Sequence, residues 1–439
     1  MLQASTIFAL SSGSVPAGVA VVRLSGAGVR TALARLAGDV PPVREMVLRS
    51  IRDLDGQLID RGLVVFFEGP RSFTGDDSAE FHLHGSRAAV AALLGALGAL
   101  PGFRQAEAGE FTRRAFVNGK LDLTGAEALS DLIQAETEQQ RKLALQNADG
   151  RQAKLYAEWR TRLLRGRALI EAELDFSDES DVPGSVSDRV WADMGALRLE
   201  MQRHLEGFRA AEIVRDGFRV VIMGAPNVGK SSLLNCLAGR DVAIVTDEPG
   251  TTRDVIEVAL DLGGTKVVLM DTAGVREGPG AVEAIGIERA RAAAALADLV
   301  LLLEEPGAPL PAPDAPAEVD TLKVGTKSDL ASGWRHGNAF DVLISSRTGS
   351  GIDKLLASIA ARAAAKTVTA SETAVPTRQR HVDLISAAMG GIDEALGDGP
   401  LELRVEGLRV AGDRIGRISG VIGTEEVLGE IFSTFCIGK

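Results

Sequence analysis

The sequence predicts a multidomain chain, α/β and α. It reads as an N-terminal α+β domain followed by a discontinuous helical domain with a mostly parallel α/β unit inserted in it. Three observations carry this. Residues 1–118 mix short β-like runs with helix-like ones. Residues 119–213 and 371–439 are helical in pattern, and residues 214–370 between them alternate strands and helices. That alternation is the signature of a parallel sheet. At 439 residues the chain is long enough for two to four domains of ordinary size.

In the first region Val19–Arg23, Gly62–Phe67 and the alternating stretch Ala79–His84 read as strands, with Gly85 ending the last. A helix from Ser86 to about Leu100 is expected next. Further on, Leu129, Leu132 and Ile133 are expected to share a helix face, and Leu155, Trp159 and Leu163 to form an apolar stripe. The Pro- and Ala-rich stretch Glu304–Asp320 reads as a surface loop between a strand and a helix. Near the end, Leu428, Ile431, Phe432 and Phe435 have helical spacing, with Thr424 as the cap.

Composition excludes some classes. No apolar run approaches the roughly 20 residues that span a bilayer. The first residues lack the basic start and long apolar stretch of a signal peptide, so a cytoplasmic location is expected. The formal net charge of −12 argues against a protein that coats nucleic acid non-specifically. The basic stretch from Arg141 to Arg167 reads first as a solvated helix face and second as a local basic patch. Two cysteines, Cys236 and Cys436, make no disulfide framework; Cys236 reads as core packing.

The chemistry concentrates in the inserted unit. Gly224-Ala-Pro-Asn227-Val228-Gly229-Lys230-Ser231 has the full phosphate-loop spacing, between a strand at Phe218–Met223 and a helix at Ser231–Leu237. Backbone N–H groups of such a loop, joined by Ser232, wrap phosphates at a helix N-terminus. Lys230 neutralises the β- and γ-phosphates and the Ser231 hydroxyl ligates Mg²⁺. The strand Val267–Asp271 ends in an acid that holds Mg²⁺ through water, followed by Thr272, Ala273 and Gly274, whose N–H senses the γ-phosphate. Gly250-Thr251-Thr252-Arg-Asp254 is a first switch, with Thr252 as second metal hydroxyl. Together these predict a Ras-like P-loop GTPase domain of the translation-factor branch.

Guanine selection normally uses Asn-Lys-x-Asp. Here the element is Thr326-Lys327-Ser-Asp329, with Ser345 in the last base-contacting loop. Asp329 accepts hydrogen bonds from the guanine edge, whereas Thr326 departs from Asn and weakens the case for guanine over adenine. Val275 stands where Ras-type switches carry a water-aligning Gln. Glu277 and Glu283 are the nearest acids downstream. Asn227 resembles the asparagine of potassium-activated GTPases, whose side-chain oxygen helps hold K⁺ where an arginine finger would stand. The other ligands would be Thr246, Thr251 and the Glu248 carbonyl.

The whole chain resembles the MnmE (TrmE) tRNA-modification GTPases. The resemblance rests on the mid-chain phosphate loop together with the tail Phe435-Cys436-Ile-Gly-Lys439. It also rests on Arg23-Leu-Ser-Gly26, Phe73-Thr-Gly-Asp-Asp77, His82-Leu-His-Gly85 and Gly109-Glu-Phe-Thr-Arg-Arg-Ala-Phe-Val-Asn-Gly-Lys120. It implies a folate-binding, aminomethyltransferase-like N-terminal domain that mediates a homodimer. A tetrahydrofolate derivative (5-formyl- or methylene-tetrahydrofolate) would contact Arg23, Glu80 and Lys120, with help from the tail through Lys439. Glu283 would place the hydrolytic water. GTP, Mg²⁺ and K⁺ are the implied cofactors. With the flavoprotein MnmG (GidA), in a heterotetramer or larger complex, such proteins modify carbon 5 of the tRNA wobble uridine. Cys436 is either a nucleophile or part of a binding tail. The loop Ser12–Gly18 departs from the family's Pro-Pro-Gly-Arg-Gly-Gly. Two other readings of the chain are a regulatory GTPase that binds ribosomal RNA and a folate-dependent aminomethyltransferase acting on a protein.

Overall fold

The computed structural model describes residues 5–175, 186–244, 257–271, 292–307, 316–330, 339–372 and 374–422, with positions 431, 432, 435 and 438. Among these the chain forms two compact units, residues 1–130 with 153–160 and 413–439, and residues 131–152 with 161–412.

The first unit is built on a six-stranded sheet. Its strands are β1 (Thr6–Leu10), β2 (Ala17–Ser25), β3 (Val47–Arg52), β4 (Leu58–Phe67), β5 (Ser78–Gly85) and β6 (Phe103–Gln105). Their order is β3-β4-β5-β2-β1-β6, antiparallel except for the β1–β6 pair. Alternation decides the two faces. Phe8, Val22, Leu24, Phe66 and Phe81 meet helices α1 (Val29–Ala37) and α2 (Arg87–Gly98) through Leu33, Leu93 and Leu97. Ile7 and Ala9 turn the other way, onto Ala106 and Phe111. The Ser86 hydroxyl accepts from the Ala89 N–H at 3.0 Å and caps α2, where the sequence places a helix start.

Phe111 belongs to α3 (Glu110–Val117), which carries a buried ion network. Glu110 is 1% exposed. It accepts from Arg104 Nη1 at 2.7 Å and from Arg114 Nη2 at 3.1 Å. Burial opposes its charge, but the Arg104 guanidinium, then the Glu107 N–H and Arg114, hold its carboxyl below the usual range. Phe432 and Phe435 pack with Ala126; Ile431 and Phe432 are helical but Phe435 stands in a bend, and Thr424 and Leu428 lie outside the described residues.

The second unit also holds a six-stranded sheet: β7 (Phe218–Gly224), β8 (Glu257–Leu262), β9 (Thr265–Asp271), β10 (Leu299–Glu304), β11 (Thr321–Gly325) and β12 (Val342–Leu343). The order is β12-β11-β10-β7-β9-β8, parallel except for the β8–β9 hairpin. The loop after β10 enters strand β11 rather than the expected helix, and residues 308–315 within it lie outside the described residues. Val220, Ile222, Leu269, Leu301 and Val324 pack against α9 (Lys230–Ala238) and α10 (Ile352–Glu372) through Leu233, Leu237, Leu355 and Ile359. Half-buried Cys236 packs on this core.

The remaining helices include α5 (Glu138–Ala148), α7 (Val186–Glu206), α8 (Phe208–Asp216), α11 (Gln379–Leu396) and α12 (Leu401–Ile418). A Cβ added to Gly391 would lie 2.7 Å from the Gly407 carbonyl, and one on Gly407 2.5 Å from the Gly391 carbonyl. Only glycine at both points lets α11 and α12 cross so closely. In α4 (Leu123–Gln134) the buried residues are Leu123, Thr124, Ala126, Glu127, Ala128 and Ser130, while Leu129, Leu132 and Ile133 are half-buried. In α6 (Arg151–Asp175) the buried stripe is Tyr156, Trp159, Leu163 and Ile170, with Leu155 at its margin. The basic stretch is partly neutralised. Arg162 pairs with Asp193 at 2.7 Å and Glu200 at 2.8 Å, Arg167 with Glu171 at 2.7 Å, and Arg141 with Glu138 at 2.7 Å. Among the described residues no helix is long and apolar enough to cross a membrane.

Candidate functional site

Strand β7 runs up the centre of the second sheet and ends at Gly224, whose φ is +156°. A Cβ there would sit 2.5 Å from the Leu303 carbonyl, so the chain turns at that point only as glycine. Asn227 and Gly229 follow with φ of +63° and +112°. Asparagine is among the few side chains that tolerate that region. The turn delivers the chain into α9, whose first N–H groups face the loop.

Lys230 opens α9 and is 8% exposed. Its Nζ donates to the carbonyls of Gly224 at 2.9 Å and Ala225 at 3.0 Å. Burial pushes its pKa down, with Asp271 opposing. A buried ammonium bonded only to neutral carbonyls is poised to take an anion. Beside it, the Ser231 hydroxyl donates to Asp271 Oδ2 at 3.1 Å. Asp271 is 2% exposed at the end of β9. A hydroxyl and a carboxylate meeting at a phosphate loop are the oxygen donors a hard cation such as Mg²⁺ takes. Val228 is buried and Ser232 exposed on either side of that turn.

The next loops come from β11 and β12. Thr326 follows β11 directly and is 4% exposed. Its hydroxyl donates to the Val228 carbonyl at 2.8 Å, which ties this loop to the phosphate loop. Sequence reasoning did not foresee that bond. Lys327 takes φ of +52°, and its Nζ pairs with Glu305 at 2.6 Å. The buried Ser345 hydroxyl donates to Asp329 Oδ1 at 2.7 Å. That bond holds the Asp329 carboxyl below its usual range and ionised, as an acceptor of two N–H donors must be. Thr246, Glu248, Thr251, Thr252, Thr272, Ala273, Gly274 and Glu283 lie outside the described residues, as does the alternative Glu277.

In the first unit, the antiparallel register sets Arg23 of β2 opposite Glu80 of β5. Arg23 Nη2 lies 2.9 Å from Glu80 Oε1, and His82 Nε2 lies 3.2 Å from the other oxygen. The pair lines a cleft of about 350 Å³ with Phe67, Phe73, Arg44 and Arg71. Lys120 does not line it. Its Nζ donates to the Pro70 carbonyl at 2.8 Å, next to the segment that forms one wall. The departing loop at Ser12, Gly13 and Ser14 lines a second cleft of about 380 Å³ with Leu94 and Gln105. Beside it the Ser11 hydroxyl donates to the Gly438 carbonyl at 2.8 Å, which brings the tail to the end of β1. Cys436 and Lys439 lie outside the described residues.

A parallel sheet with a glycine-bounded loop before α9, a buried lysine on that loop, and a hydroxyl–carboxylate pair at its end defines a Ras-like P-loop GTPase. The family models and the sequence relatives agree. Residues 6–120 match the model described as the GTP-binding protein TrmE N-terminus, and residues 123–436 match that of the MnmE helical domain. The tRNA modification GTPase MnmE of Brucella canis is 56% identical over 440 residues, 99% of this chain and 98% of that protein. Its counterpart in Mesorhizobium japonicum is 54% identical over 447 residues, 100% of both. The solved G domain of the T. maritima FeoB iron transporter aligns with 33% of this chain and 98% of its own, at 26% identity and a TM-score of 0.25. This chain belongs to the MnmE family of tRNA modification GTPases.

Proposed function

We propose that the chain is a potassium-activated GTPase that modifies carbon 5 of the tRNA wobble uridine, together with a flavoprotein of the MnmG (GidA) class and a tetrahydrofolate one-carbon unit. The observation that carries this reading is the presence, in one chain, of the Lys230–Ser231–Asp271 arrangement and the Arg23–Glu80 cleft. A GTPase that only switched on ribosomal RNA would have no use for the second.

In this reading Lys230 leaves the two loop carbonyls for the β- and γ-phosphates, and the N–H groups from Asn227 to Ser232 cradle them. Ser231 and Thr252 hold Mg²⁺, with Asp271 behind a water. Asp329, set by Ser345, accepts from the guanine edge, and Thr326 keeps that loop on the phosphate loop. Glu283 aligns the attacking water. Asn227 offers its side-chain oxygen to K⁺ beside the phosphates, with Thr246, Thr251 and the Glu248 carbonyl completing the set. A cation there supplies positive charge against the charge that develops in the transition state. Glu80 reads the amidine edge of a pterin, and Cys436 and Lys439 bring the tail to the folate site.

Exposed apolar side chains support a homodimer. Leu48 of β3 is 66% exposed and pairs across the ladder with Leu63 of β4, which is 38% exposed; Met46 and Leu58 extend the patch. β3 is an edge strand, and such a surface is a site for a second copy.

The test is GTP turnover by the full chain in K⁺ and in Na⁺ at equal ionic strength, with Asn227→Ala beside it. Fast turnover in K⁺ alone, abolished by the substitution, is expected. A variant still stimulated by K⁺ would overturn the cation assignment. Loss of wobble-uridine modification on deletion of the gene tests the substrate; unchanged tRNA would exclude it.

A further inference from the structure

The cleft beside Arg23 and Glu80 is unevenly charged. Of its charged lining residues, Arg23 and Glu80 neutralise each other at 2.9 Å. Arg44 and Arg71 line the same cleft, both exposed, and among the described residues neither has a carboxylate within ion-pair distance. The Arg44 guanidinium lies over the Phe67 ring at 5.7 Å and donates through Nη2 to the Arg71 carbonyl. Its backbone is set as well. The Arg44 N–H donates to the Phe66 carbonyl at 2.8 Å, at φ of +64°, beside an isolated bridge between Val43 and Phe66. The fold therefore holds a positive residue in a left-handed conformation at the rim of an aromatic-walled cleft. Phe73, 40% exposed, offers a second ring face.

Such a cleft has room for a fused heterocycle and its linker, since small-ligand sites begin at roughly 300 Å³. A polar tail that extends from the cleft toward solvent can meet these two exposed guanidiniums, whose planar forks match carboxylates two atoms at a time. We propose that Arg44 and Arg71 are specificity-determining residues that read a chain of carboxylates on the ligand. The cleft then selects folates carrying several glutamates over those carrying one. This rests on the folate reading above and names the form of folate the site takes.

The experiment is calorimetric titration of the full chain with three probes: 5-formyltetrahydrofolate as monoglutamate, the same as triglutamate, and a reduced pterin lacking any glutamate. Melting temperatures confirm that Arg71→Gln and Arg44→Gln remain folded. Wild type is expected to bind triglutamate at least fivefold more tightly than monoglutamate, with the difference shrinking as salt is raised. Each variant should lose about 5- to 30-fold in triglutamate affinity and less than twofold for the tail-less pterin. Equal affinities of wild type for mono- and triglutamate would overturn the proposal and leave the folate reading standing. Equal losses for all three probes would also overturn it, by making the arginines structural. No binding of any folate by wild type would remove the folate reading itself, and this proposal with it.

Discussion

Replacing Lys230 with methionine separates the two things that this side chain does. In the free protein its ammonium is 8% exposed and bonded to the carbonyls of Gly224 and Ala225 at 2.9 and 3.0 Å. Burial pushes its pKa down. Lys230→Met removes a charge that burial disfavours and frees two carbonyls at the lip of the loop. These effects oppose, so the unliganded protein should change by less than about 1 kcal/mol. With nucleotide bound, the same ammonium faces phosphate in a partly dry site. Removing one member of such a pair costs about 2–5 kcal/mol, or about 30-fold to several thousand-fold in affinity. Displacement of a fluorescent GDP analogue gives the affinity, and thermal denaturation without nucleotide gives the stability. An affinity within threefold of wild type would refute the phosphate role. A fall of more than about 5 °C without nucleotide would refute the balance and make Lys230 a staple of the loop.

Three further outcomes are expected. Glu110→Gln leaves Arg104 and Arg114 facing a neutral side chain, and should destabilise the first unit by about 3–5 kcal/mol, read as an earlier calorimetric transition; an unshifted transition would deny the network its structural part. Because the Glu110 carboxyl is held below its ordinary value, its contribution is present above the unfolded pKa near 4.5 and fades as pH falls through the folded value, so the difference between wild type and variant should shrink in acid. Thr326→Val strips the buried Val228 carbonyl of its donor and should cost about 1–3 kcal/mol, felt as weaker GTP binding as well as a lower melting temperature; full GTP affinity would show that the two loops hold together without it. Cys436→Ser should abolish tRNA modification while leaving GTP turnover intact, if the thiol is a nucleophile, and full modification would confine the tail to binding.

What the sequence made legible were features written in contiguous residues. The phosphate loop, its strand and its helix are read directly because the spacing from Gly224 to Ser231 admits few other conformations. Strands β2, β4 and β5 announced themselves by apolar density or alternation. β6 has only three residues, β3 interleaves Arg49, Ser50 and Arg52 with its apolar positions, and the apolar run Ile7–Leu10 of β1 is too short to separate strand from helix by pattern alone. The contacts that finish the sites come from distant parts of the chain. The Thr326 bond to Val228 spans 98 positions, and nothing in a threonine that replaces asparagine says where its hydroxyl will point. Arg44 and Arg71 share a cleft because of strand register and a left-handed residue. The basic stretch read as a solvated face or else a basic patch, and spacing could not show that Arg162 takes Asp193 and Glu200 from another helix as partners. In α4 periodicity selected the half-buried face of Leu129, Leu132 and Ile133, but packing buried Leu123, Ala126, Glu127 and Ser130 more deeply.

Strand β9 has a consequence of a mechanical kind. Seven residues long and hydrogen-bonded along both edges, it is a strut of about 20 Å with little freedom to stretch or bend. Its far end is gripped by α5 and the segment before it, where the Gln139 N–H donates to the Gly264 carbonyl at 3.1 Å and Lys266 pairs with Glu136 at 2.5 Å. Its near end carries Asp271 against Ser231. A displacement of α5 along the strand axis is therefore expected to be felt at the hydroxyl–carboxylate pair, and a change in that pair at α5. Amide exchange at Gly264 and Lys266 is then expected to change when the phosphate loop is filled.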